Sequence, residues 1–217
     1  MKKLIVNSVP EGLYEAENIP ALFEKEGIEY HPVDEVNWAS EYPYKPKMEF
    51  AIAHTDHALL IHYRVEEDSV ASVAGHDNGK VWEDSCCEFF SIPADDGIYY
   101  NMECNCTGTL LVAAGPEREG RTHAPQAVLQ AVKRWSSLGD EPFSERIGAV
   151  KWQMALVIPL STYFLHDIQS LNGQTIRANF YKCGDKLQRP HFLSWNPIAI
   201  EKPDFHRPDY FGELSFR

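Results

Sequence analysis

The sequence predicts an all-β protein, a β-sandwich of about ten mostly antiparallel strands with one or two short helices. Three observations carry that expectation. From Met48 onward, segments of strand length rich in aromatic and β-branched residues follow one another, with turn-formers between them. Helical signals are confined to short stretches, with no strand–helix alternation of the kind that builds parallel sheets. At the centre, V-W-E-D-S-C-C-E-F-F-S-I-P, the turn A-D-D-G and I-Y-Y-N-M-E-C-N-C form a hairpin from Val81 to Cys106.

Taken in order, residues 3–9 are a short apolar segment that reads as an edge strand. Ile19 to Gly27 reads as a two-turn helix, because Pro20 fits a first turn and Gly27 follows its end. Pro32 to Lys47 carries Pro32, Pro43 and Pro46 among Trp38, Tyr42 and Tyr44, which predicts an irregular arm pinned by its aromatics. Phe50–His54 is a strand. In Ala58–Glu67, Leu59, Ile61, Tyr63 and Val65 alternate with His62, Arg64 and Glu66, as in a half-buried strand. After the Asp77-Asn78-Gly79 turn comes the hairpin. Its second half sends Tyr100, Met102, Cys104 and Cys106 to a core face and Tyr99, Asn101, Glu103 and Asn105 to a face that meets water or a sugar. Gly108–Gly115 continues the meander, Pro116–Pro125 is a charged loop, and Val128–Gly139 reads as a weak strand carrying Arg134 and Trp135. Trp152–Ile158 alternates strongly and ends in one helical turn. Gln174–Asp185 is a long strand with Ile176, Ala178 and Phe180 opposite Arg177, Asn179 and Tyr181. His191–Pro197 is a short strand or loop, and the end is a proline-punctuated arm with a last strand. No linker or repeat interrupts the chain. It reads as one domain over residues 1–217, with 1–47 an N-terminal arm and short helix and 48–217 the sandwich core.

The 217 residues carry a formal charge of −12, which argues against a nucleic-acid partner, since phosphate binding needs clustered Lys and Arg. No apolar run approaches the ~18 residues of a membrane helix. Five cysteines leave one over from any complete disulfide set. Cys104 and Cys106 read as small inward hydrophobes. Cys86 and Cys87 face opposite sides of their strand and so make no vicinal redox pair. The start, M-K-K-L-I-V-N-S-V-P, has no signal-peptide pattern. A reducing cytoplasm is therefore the expected compartment, or the outside of the cell or periplasm if the chain is trimmed from a longer one.

The polar rows of the alternating strands combine carboxylates, guanidinium groups, amides and flat rings. Sugar rings stack their C–H faces on Trp or Tyr, and their hydroxyls take paired hydrogen bonds from planar groups. A solvated face with surface ion pairs is the plain alternative. Trp82 and Glu88 share a parity, but both parities of their stretch mix apolar and charged residues, so their face is not legible.

The tail S-W-N-P followed by P-D-F-H-R-P-D-Y-F-G-E-L-S-F resembles the C-terminus of family 9 carbohydrate-binding modules, in Trp195, Pro197, Pro203, Phe205, His206, Pro208, Phe211, Gly212, Leu214 and Phe216. W-E-D-S-C-C-E-F-F, Y-Y-N-M-E-C-N-C-T-G-T-L-L and R-A-N-F-Y-K resemble three of the family's strand motifs. The likeness covers about residues 48–217. It implies a jelly-roll-like sandwich of the broader DOMON type and non-catalytic binding of an oligo- or polysaccharide. The ligand it implies is the end of a glucan or xylan chain gripped between two Trp rings. By matched position, Trp82, Glu88 and Trp195 take those roles. Asn105, Arg177 and Asn179 are added as candidates by their face. Cys86 and Cys87 depart from the family's usual acidic or aliphatic residues. No cofactor is implied beyond a structural calcium, for which the Asp95-Asp96-Gly97 turn offers oxygens. His206 reads as a structural hydrogen-bonding residue of the arm.

Three competing readings remain. Glu88 and Glu103 form a possible acid–base pair of a glycosidase. Met102 invokes a haem ligand without a partner His. The sandwich also serves as a protein-interaction module with a relict groove.

Overall fold

The computed structural model describes residues 1–217 as thirteen strands and two short α-helices. In chain order these are β1 (Lys3–Ser8), α1 (Ile19–Glu26), β2 (His31–Pro32), β3 (Lys47–His54), β4 (Ala58–Ser72), β5 (Cys86–Ile92), β6 (Tyr99–Asn105) and β7 (Leu110–Gly115). There follow β8 (Thr122–His123), α2 (Gln126–Ala131), β9 (Lys133–Ser136), β10 (Phe143–Pro159), β11 (Thr175–Cys183), β12 (Phe192–Ser194) and β13 (Gly212–Phe216). Strands run in the order β8-β7-β6-β5-β11-β13-β1-β3-β4-β10-β9, with β12 on β11 and β2 on β3. The fold is a β-sandwich whose two sheets are joined through β1. That strand pairs in parallel with β13 through Lys3–Val6 and with β3 through Asn7 and Ser8. It is therefore not the edge strand its sequence suggested. Its partners come from distant parts of the chain, so nothing local reveals them.

The two longest strands, β4 and β10, have 15 and 17 residues and pair antiparallel. Their register shifts between Phe143 and Arg146 and again between Ile147 and Val150. Gly148 sits in the second shift at φ 128°, a backbone that residues with a Cβ rarely adopt. The main core lies between the sheets. Phe89, Met102, Cys104, Val112 and Phe180 meet Phe50, Ile61, Tyr63, Trp152 and Met154 there, and Phe50 stacks on Phe180 with centroids 3.6 Å apart.

Each outer face is covered as well. On the β3-β4-β10 sheet, Ala51, Ala53 and Ala155 leave room for Ile19 and Phe23 of α1 to close in, and Gly27 ends that helix at φ 64°. On the β5-β6-β7-β11 sheet, Cys86, Phe90, Tyr99, Leu111 and Tyr181 are covered by Trp38, Ile198, Phe205 and Phe211. Every residue of β6 and β7 is buried. A strand buried on both sides loses its alternation, which explains the mixed parities around Trp82 and Glu88.

Three further expectations are corrected. Within Val128–Gly139 the strand carrying Arg134 and Trp135 is confined to β9, and the residues before it belong to a helical turn, α2. The Tyr99–Asn105 row is not a solvated face: the C-terminal arm covers Tyr99, Ser72 and Asp84 hold Asn105, and the nearly buried Asn101 and Glu103 border a cleft. The row of His62, Arg64 and Glu66 lies on the other sheet, in β4, where Tyr30 packs on His62 and Arg64. It does not join the Glu103 row.

Candidate functional site

Where the arm leaves the outer face of the β5-β6-β7-β11 sheet uncovered, a cleft of about 540 Å³ opens. Its floor comes from the strands: Glu88 and Phe90 of β5, Asn101 and Glu103 of β6, Leu111 and Ala113 of β7, and Cys183 of β11. Its rim comes from loops: Trp82, Asp185, Phe192, Arg118 to Arg121, and Pro203 to His206.

Trp82 stands in a 3-10 turn, Val81–Glu83, before β5 begins. Asp84 builds that turn by accepting the backbone N–H groups of Val73 and Ala74, both at 2.9 Å. Asp185 N–H donates to the Trp82 carbonyl at 3.1 Å, which ties the turn to the loop after β11. The indole is left half-buried at the mouth.

Glu88 and Glu103 face each other across β5 and β6. Cys183 Sγ–H donates to Glu88 Oε1 at 3.0 Å. A relay runs from Arg121 Nε to Asn101 Oδ1 at 2.8 Å and from Asn101 Nδ2 to Glu103 Oε1 at 2.9 Å. The second oxygen of each carboxyl, Oε2, is buried without a partner. A buried polar atom left unpaired is expensive, so these two oxygens carry hydrogen-bonding capacity that no protein group meets. Burial pushes the Glu88 carboxyl well above its ordinary range, and repulsion from Glu103 adds to it. Burial likewise pushes Glu103 up to about 7, with Asp185 adding repulsion. Asp185 is itself raised to about 6 by burial and by Glu83. His206 lines the cleft with Nδ1 against the Tyr99 hydroxyl at 2.9 Å, and burial lowers its pKa to about 3. A neutral, hydrogen-bonded imidazole is in keeping with a structural role.

Cys86 Sγ, Cys183 Sγ and a Glu88 oxygen lie within 4.8 Å of one another and are the group with the donors for a metal ion. Burial drives both thiols up, Cys86 to about 12, which favours the protonated form over a thiolate ligand. All five cysteines are free and buried. In the Asp95-Asp96-Gly97 turn, Asp96 Oδ2 pairs with His166 Nε2 at 2.8 Å.

The sequence-derived site residues divide. Trp82 and Glu88 line the cleft. Trp195 does not: its indole is 5% exposed and packs edge-on against Phe50 and Phe180 between the sheets. Its backbone N–H donates to the Phe180 carbonyl of β11, and its ring packing on Phe50 and Phe180 puts it on the inward side of that strand. The two-ring clamp expected from Trp82 and Trp195 is therefore not formed. Asn105 is fully buried, donates to Ser72 Oγ and Asp84 Oδ2, and accepts from Thr109 N–H, so it braces the turn carrying Trp82 from behind. Asn179 is also fully buried; its amide clasps the Asn196 backbone, donating to O at 3.0 Å and accepting from N–H at 2.8 Å. Arg177 is exposed and donates to the Pro208 carbonyl, away from the cleft. The residues not anticipated are Asp185, Phe192, Arg121 and Phe205. Of these, Arg121 had a signal as one of the two arginines of the charged loop before β8, and Phe205 as part of the tail motif.

A β-sandwich with an aromatic-rimmed cleft, floored by converging carboxyl and amide groups, defines a small-ligand-binding module. The chain belongs to carbohydrate-binding family 9, whose model matches residues 17–216. It is similar to a Bacteroides uniformis ATCC 8492 protein provisionally described as carbohydrate-binding. The two share 53% identity over 100% of this chain and 99% of that one, with a TM-score of 0.97. A family 9 module of Caldicellulosiruptor kristjanssonii in complex with cellotriose is 13% identical, covers 100% of this chain and 94% of that one, and superposes with a TM-score of 0.60. The same organism's module in complex with glucose gives 13%, 100%, 96% and 0.59. Both share the fold. No curated protein matches the sequence.

Proposed function

We propose that this protein binds the end of a saccharide chain without turning it over, with one sugar ring held in the cleft between Trp82 and the Glu88–Glu103 floor. The observation that carries the reading is the pair of unpartnered carboxyl oxygens at the base of an open cleft beside a half-buried indole. Its 540 Å³ falls within the roughly 300–1,000 Å³ of small-molecule sites. The glucose and cellotriose complexes of family 9 modules sharing this fold support the ligand class. A single indole replaces the expected two-ring grip, and Phe192, Phe205 and His206 are the other rings lining the cleft.

Calorimetric titration with glucose, cello- and xylo-oligosaccharides tests the proposal. Saturable binding, lost at least tenfold in W82A at unchanged melting temperature, is the expected result, with no reducing ends released on prolonged incubation. No heat with any saccharide ends the proposal.

A further inference from the structure

The cleft floor is acidic on three sides and has no cation directed at it. Glu88 from β5 and Glu103 from β6 face each other, and Asp185 approaches from the loop after β11. The five N–H groups of Arg121, which lines the cleft, are all engaged, with Asn101 Oδ1 and the carbonyls of Gly115, Glu117, Tyr99 and Ala113. Arg118 pairs with Asp204, and it and Lys186 act on Asp185 only at a distance, pulling its pKa down less than burial and Glu83 push it up. Lys182 points through the sheet to the other side, where it meets Glu67 at 3.0 Å. His206 is held by Tyr99, and His123 stands exposed at the edge, on β8. The free Oε2 atoms of Glu88 and Glu103 thus have no protein donor at all.

We infer that the floor is built to receive a cationic centre, and that the saccharide this cleft prefers carries a protonated amine where other sugars carry a hydroxyl or an acetamide. This rests on the sugar-binding reading above. Without a ligand a proton performs the neutralising role, consistent with the upward displacement of all three carboxyls, each chiefly by burial, with repulsion from Glu103 added at Glu88, from Asp185 at Glu103 and from Glu83 at Asp185. An ammonium brings three donors and a full charge, and takes the proton's place with charge-assisted hydrogen bonds to both free oxygens. A hydroxyl satisfies the oxygens but leaves the charge uncompensated. An acetamide offers one N–H and bulk.

Titrations at pH 7 with glucosamine and its β-1,4 oligomers, set against the matching N-acetylated and neutral glucose series, test this. The amine is expected to bind at least tenfold more tightly than either counterpart. The advantage is expected to fall below threefold in E103Q, to shrink in D185N, and to shrink in the wild type at pH 5. At that pH the amine stays protonated, so the change belongs to the protein. Equal affinities, or a preference for acetamide or hydroxyl, overturn the inference and leave the sugar-binding proposal standing. Silence of all three series overturns the sugar-binding proposal itself.

Discussion

The two tryptophans that look alike in the sequence have opposite duties. Trp195 fills the inter-sheet core, so W195A should lower stability by about 3–5 kcal/mol, the range for truncating a buried aromatic. W82A should change stability by under ~1 kcal/mol while removing saccharide binding. Urea unfolding of both variants checks this, and a large loss in W82A would place that ring in the core too. A second prediction concerns a buried charge. Lys182 is fully enclosed and Glu67 nearly so, with Glu67 also accepting from Trp152 Nε1 at 2.6 Å. Burial alone would depress the Lys182 ammonium, but the Glu67 carboxylate reverses the sign and its pKa is raised. E67Q leaves that ammonium without its counter-charge and should destabilise by about 3–5 kcal/mol, with most of it recovered in E67Q/K182M. A loss below ~1 kcal/mol in E67Q would mean the lysine escapes to water.

Among the elements, β13 shows how a glycine is selected by close approach. A Cβ on Gly212 would sit 2.6 Å from the Trp195 ring and 2.8 Å from the Lys2 carbonyl. The ring cannot leave its core site and the carbonyl belongs to the backbone beside β1. G212A should therefore cost about 1–3 kcal/mol through overpacking, and hydrogen exchange should show β1 and β13 loosening first. Unchanged protection of both strands would contradict the account. The same contact explains why the F-G-E-L-S-F tail is legible as a motif: Phe211, Gly212, Leu214 and Phe216 are all buried against distant partners.

For the molecule as a whole, the buried carboxyls of the cleft make stability depend on pH. Glu103 rises from 4.5 to about 7, so its contribution is complete below pH 4.5 and is lost as pH rises through 7. By linkage that loss is on the order of 3 kcal/mol by pH 8. Asp185 acts in the same sense, and the buried His206 in the opposite sense as pH falls below 6.5. E103Q should accordingly be more stable than the wild type at pH 8 and indistinguishable from it at pH 4. Chemical denaturation across that range measures the difference, and parallel pH profiles would show that the carboxyl ionises freely.

The β-sandwich and its family were readable from local signals: alternating strands, turn-formers at Asp77-Asn78-Gly79 and Ala94–Gly97, one capped helix, and a tail motif tied to close packing. Trp82 and Glu88 were reachable because short motifs hold them. Asp185, Phe192 and Phe205 were not, since each reaches the cleft from a different loop and no local spacing records that meeting. The face of Trp195 was equally hidden, because β12 is three residues long and too short to display an alternation. Periodicity reports on a residue's side of its own strand. Which strands then stack, and where a covering arm falls short, depends on contacts between segments far apart in the chain, and those alone make the acidic cleft.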